Sequence, residues 1–74
     1  MTRMPRVTGR KVVSALKGAG FIVVRVTGSH HHLHKPGSKL VTVPVHSGET
    51  LSPILIKSIL EQAGLTVEEF MELL

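Results

Sequence analysis

The sequence predicts a small α+β domain: helix, three antiparallel strands, helix and a short C-terminal helix, with the helices on one face of the sheet. Three observations predict it. Apolar residues recur at helical spacing near both ends, at Val12, Val13 and Leu16 and again through residues 54–63. Between them lie three short β-branched or alternating segments. The breaks separating those segments, Gly28-Ser29 and Pro36-Gly37-Ser38-Lys39, are too short for a crossover and force neighbouring strands to run antiparallel.

Each element has its own warrant. Thr8 is a good N-cap for a helix over 9–17, and Gly18 and Gly20 end it. Phe-Ile-Val-Val-Arg-Val-Thr (21–27) reads as the first strand, residues 30–35 as the return strand and 40–45 as the third. Residues 46–51 form a loop. Ser52 then caps a helix with Pro53 at its first position, with Ile54, Leu55, Ile59, Leu60 and Ala63 along one side and Gly64 closing it. Thr66 and Glu69 have capping-box spacing, opening a helix over 67–74 with Val67, Phe70, Met71 and Leu74 apolar. The whole of 1–74 is expected to be one domain, with a core at 8–65 and a helical extension at 66–74. That extension either completes the hydrophobic layer or serves weak self-association.

Composition narrows the function. The chain has 74 residues with 9 Lys plus Arg, 5 acids, 5 His and no Cys. It has room for one core only, and that core must be built from packed aliphatics without disulfides. The lack of cysteine removes redox motifs and thiolate nucleophiles and points to a reducing cytoplasm. With only Phe21 and Phe70 aromatic, a row of base-stacking side chains is excluded. The longest apolar run, 21–24, is far short of a membrane span, and residues 1–5 lack the apolar stretch of a signal peptide.

The net charge of +4 conceals a sharper division. Residues 1–39 hold eight bases and no acid, whereas residues 40–74 hold Lys57 against five glutamates. All five histidines lie in or beside the basic half. Such a half attracts a polyanion such as RNA through counterion release.

Strand parity sorts the histidines. Leu33 is the one strong hydrophobe of the second strand, so His31, Leu33 and Lys35 should turn inward, to meet Val41, Val43 and Val45. His30, His32 and His34 then share the opposite, open face, with Arg25 nearby on the first strand. Three readings of Gly-Ser-His-His-His-Leu-His (28–34) stay open on the residues alone. One is a solvated strand face. The second is a metal site, for which the chain offers His46 and Glu49 but no Asp and no Cys. The third is proton transfer on RNA, since His is the side chain whose unperturbed pKa lies between pH 5 and 8.

Gly-Ser-His-His-His-Leu (28–33), Leu-Val-Thr-Val-Pro (40–44) and Ile-Lys-Ser-Ile-Leu-Glu-Gln-Ala-Gly-Leu (56–65), with Val-Arg-Val-Thr (24–27) before them, resemble the HicA family of YcfA-like mRNA interferase toxins. The resemblance runs from about Thr8 to Leu65. It implies a double-stranded-RNA-binding-domain-like fold, a metal-independent endoribonuclease without cofactor, and inhibition by a HicB-type antitoxin over the active face. It places the catalytic histidine at His30 and the supporting turn at Gly28 and Ser29. Around these, Arg25, His32, Lys35, Lys39 and Lys11 are expected to contact RNA, with Lys17 extending the basic surface. The competing expectation is a double-stranded-RNA-binding module that does not cut.

Overall fold

The computed structural model describes residues 4–74; residues 1–3, Arg3 among them, lie outside these. The chain forms α1 (Gly9–Gly18), β1 (Ile22–Thr27), β2 (His30–His34), β3 (Val41–Pro44), α2 (Pro53–Ala63) and α3 (Val67–Leu73). The strands lie side by side in chain order, both pairs antiparallel. This is the α+β arrangement expected from the sequence.

Local chemistry sets the boundaries. Thr8 accepts from the Lys11 N–H and Ser52 from the Leu55 N–H, each satisfying a donor that the first helical turn leaves free. Thr66 and Glu69 close a reciprocal capping box on α3. At the far end of α1, Gly20 adopts φ +101°, and Phe21 and Gly20 return N–H groups to Leu16 and Lys17. That closure turns Phe21 inward onto Leu16, and both are buried.

Helices cover one face of the sheet, and the core joins Val12, Val13 and Leu16 of α1 with Leu33, Val41 and Val43 of the strands and Ile56, Ile59 and Leu60 of α2. On α2 the buried side is Ile56, Ile59, Leu60 and Ala63, spaced i, i+3, i+4, i+7. Ile54, expected on that side, is 84% exposed. The reason is angular: the 54–56 run is apolar all round, with Ile56 in phase with the buried side, Leu55 half-buried at its margin and Ile54 turned away. On α3 the inward residue is Phe70, flanked by half-buried Val67 and Leu73, whereas Met71 and Leu74 face outward. The extension therefore completes the same core as the rest of the chain.

Two close approaches fix how the N-terminal segment lies. Leu51 donates its N–H to the Val7 carbonyl, and Thr8 pairs with Thr50 in an isolated bridge. Gly9, the first residue of α1, packs against the backbone of Pro44 and Val45, where a Cβ would strike the Pro44 carbonyl. Among the described residues no helix is long and apolar enough to cross a membrane.

Candidate nucleic-acid interface

β1 and β2 are joined by Gly28 and Ser29 alone. Gly28 has φ +59° while Ser29 keeps a negative φ, the sign pattern of a type II′ turn, whose twist matches that of the flanking strands. The turn delivers His30 as the first residue of β2, exposed, with no hydrogen bond from its ring to any described residue. Both ring nitrogens are open to a ligand.

Pairing places His30 opposite Thr27 and Pro44, and His32 opposite Arg25 and Thr42. Directly opposed residues share a face, so Arg25, His30 and His32 stand together on the side the helices leave open. The expected inward set holds for Leu33, which is fully buried, and for half-buried His31. Arg25 reaches the open face through a bulge between Val23 and Arg25. His32 is held on both sides of its ring: Thr27 Oγ1 lies 2.8 Å from Nε2 and Thr42 Oγ1 3.0 Å from Nδ1. A hydroxyl can donate or accept, so this clamp suits either tautomer and the imidazolium as well.

The other expected RNA contacts lie elsewhere. Lys35 turns to the helix side, where its Nζ donates to the Ala19 carbonyl at 3.2 Å and sits 5.0 Å above the Phe21 ring. It thus neutralises the C-terminal end of α1. Lys39 lies in the turn at the opposite end of β2 from His30. Lys11 is on α1, in the helical layer, beside Val7, Ser14, Leu73 and Leu74. No ion pair joins Lys57 to Glu61; both are exposed on α2.

Two residues that the sequence reading did not assign to the RNA site are drawn towards the turn. Val45 donates its N–H to the Ser29 carbonyl at 2.7 Å, and His46 Nε2 lies 3.3 Å from Ser29 Oγ. Nothing local in the sequence announces this, because the contact spans 17 positions. Among the described residues no three His, Cys, Asp or Glu side chains converge in a metal-binding group.

A three-stranded sheet backed by helices, with an exposed histidine directly after a Gly-Ser turn and Arg25 but no acid on the open strand face, defines a small α+β protein with a surface suited to a polyanion. The model of the family described as HicA toxin of bacterial toxin-antitoxin matches residues 9–65, and the chain belongs to that family. None of the curated proteins compared with the chain matches it.

Proposed function

We propose that this HicA family member is an endoribonuclease that cleaves mRNA without a metal and is held inactive by a HicB-like antitoxin. The observation that carries the reading is His30: a free imidazole, exposed at the head of β2, on an acid-free strand face beside Arg25. Family membership sets the context in which that imidazole acts.

The step needs few parts. His30 takes the proton of a ribose 2′-hydroxyl, and the 2′-oxygen attacks the adjacent phosphorus. The bond from phosphorus to the 5′-oxygen breaks, and that oxygen takes up a proton as it leaves. The products are a 2′,3′-cyclic phosphate and a 5′-hydroxyl. Arg25, on the same face, would meet the negative charge that builds on the phosphoryl oxygens. His32, fixed by Thr27 and Thr42, orients the strand rather than moving a proton. Contacts to phosphates and 2′-hydroxyls would dominate over base edges, as they do for folds of the double-stranded-RNA-binding kind.

The antitoxin has a surface to cover. β1 is an edge strand, and Ile22, Val24 and Val26 on it are 51–62% exposed. An unpaired edge carrying exposed aliphatics, on the strand next to that of His30, favours a protein partner that pairs with β1 and extends over His30. The cytoplasm, where mRNA is available, is the compartment this activity requires.

The test is cleavage of single-stranded and duplex RNA in EDTA by purified wild-type protein and His30→Ala. Wild-type cleavage, with loss in the variant and RNA binding kept, supports the reading. If both proteins bind RNA and neither cuts, the chain is an RNA-binding module. Activity lost in EDTA and restored by Zn²⁺ would replace the metal-free mechanism.

A further inference from the structure

The positive charge of α1 is not spread evenly round the helix. Arg10, Ser14 and Lys17 follow one another at i, i+4 and i+7, so they form a single exposed stripe beside the buried Val12, Val13 and Leu16. That stripe borders a depression of about 320 Å³ whose other walls are Val13, Val45 and His31. No carboxylate lines it. Two fixed cations and an imidazole therefore face one small space without an acid to balance them.

His31 has an unusual environment there. Its Nδ1 is shielded from solvent and has no hydrogen-bond partner among the described residues. A buried lone pair is better tolerated than a buried N–H, which in the neutral ring favours the tautomer with its N–H at Nε2. Nε2, at the other edge of the ring, then offers a donor to the depression. Ser14 adds a hydroxyl donor from the middle of the α1 stripe.

The depression is also connected. Arg10 and Val45 belong equally to a neighbouring hollow that contains His46. His46 and Val45 are in turn bound to Ser29, the residue before His30. A path runs from the Gly28-Ser29 turn along the end of β3 to α1. Its far end presents donors suited to an anion.

We propose that the depression between α1 and β2 is a phosphate-binding subsite, formed by Arg10, Ser14, Lys17 and His31, for a backbone phosphodiester of RNA. It rests on the reading of His30 as the cleavage site, because the phosphate it takes belongs to the same RNA strand, which would pass from the open face round the Gly28-Ser29 turn to the helix side. Arg10 and Lys17 supply the charge, and Ser14 Oγ and His31 Nε2 donate to the non-bridging oxygens. The subsite holds the strand in register over the turn and discriminates little between bases.

The test uses a short 2′-O-methyl oligoribonucleotide, which cannot be cut because it lacks the nucleophile. Its binding to the full chain is followed by fluorescence anisotropy over a salt series. Arg10→Gln/Lys17→Gln should weaken binding about tenfold or more and flatten the plot of log K against log salt by about 0.7, the value for one phosphate of a single strand. Lys57→Gln, on α2, should change neither. In a second arm, inorganic phosphate is titrated while the His31 ring nitrogens are followed by ¹⁵N NMR; Nε2 should shift in the wild type and stay still in the double variant. Unchanged affinity and slope in the double variant overturn the subsite, as does a wild type that fails to bind the probe. Cleavage is scored separately. A wild type that binds through these residues but never cuts RNA refutes the cleavage reading and leaves the subsite standing.

Discussion

Arg25 stands across from His32 in the β1–β2 ladder, while Val23, two residues earlier, stands across from Leu33, the very next residue of β2. Val24 is the extra residue between them. Without that bulge, Val23 and Arg25 would fall on the same side of a regular strand. With it, Val23 packs on the core and Arg25 joins the histidines.

Deleting Val24 should therefore be tolerated. Removing the bulged residue leaves Val23 opposite Leu33 and Arg25 opposite His32 on a regular ladder, and Val24 is half exposed, so no core cavity forms. The expected cost is about 1 kcal/mol, the usual size for a change without a buried defect. Urea unfolding gives the number, and cross-strand Cα proton contacts between residues 25 and 32 report the register. An unfolded deletion variant, or Arg25 paired with His31, would show that the bulge holds the sheet together.

The clamp on His32 makes a different prediction. Thr42→Val keeps the volume but removes the hydroxyl 3.0 Å from Nδ1, at a cost of about 1 kcal/mol. Thr27→Val, at an exposed position, should cost less. If His32 orients RNA and His30 moves the proton, both variants lower cleavage far less than His30→Ala does. Parallel single-turnover measurements decide it, and a Thr42→Val loss as deep as that of His30→Ala would move the chemistry to His32.

These two residues also mark how far the sequence could be read. The caps at Thr8, Ser52 and Thr66 and the turn at Gly28 were legible because each is local chemistry acting within three or four positions. The inward and outward sides of β2 were legible because Leu33 is alone among polar neighbours. The bulge at Val24 was not, since 21–24 is apolar throughout and has no alternation for an extra residue to interrupt. The same lack of contrast in 54–56 hid the phase of α2. Lys35 looked free for phosphate because its partners, Ala19 and Phe21, lie in another part of the chain. The approach of Arg10 and Lys17 to His31, and of His46 to Ser29, is likewise tertiary.

Gly9 and Gly28 are required for different reasons, which alanine and asparagine separate. At Gly9 a Cβ runs into the Pro44 carbonyl, so Gly9→Ala should push α1 off the end of β3, at a cost of about 1–3 kcal/mol by overpacking. At Gly28 a Cβ meets nothing within 4 Å, but φ is +59°. Gly28→Ala should cost about 1–2 kcal/mol from backbone strain alone, and Gly28→Asn, which primed turns accept at positive φ more readily than alanine, should recover part of it. Cleavage should follow stability in that order. If Gly28→Asn is stable yet inactive, RNA passes too close to the turn for any side chain.

The strongest stability prediction concerns α3, which lies outside residues 9–65 matched by the family model. Phe70 is fully buried, and α3 packs on both α1 and α2. Removing a buried phenylalanine costs about 3–5 kcal/mol. A chain of this size has in total about 4–11 kcal/mol at the usual 0.05–0.15 per residue. Phe70→Ala should therefore lose a large share of the stability, and truncation after Leu65, which also uncovers the α1 and α2 surfaces under Phe70, should abolish cooperative unfolding. Met71→Ala, one position on but 43% exposed, should stay within about 0.5 kcal/mol of the wild type. Urea melts of the three variants beside the wild type test this together. A truncated chain with an unchanged midpoint would mean that 9–65 closes its own core and that α3 is a passenger on it.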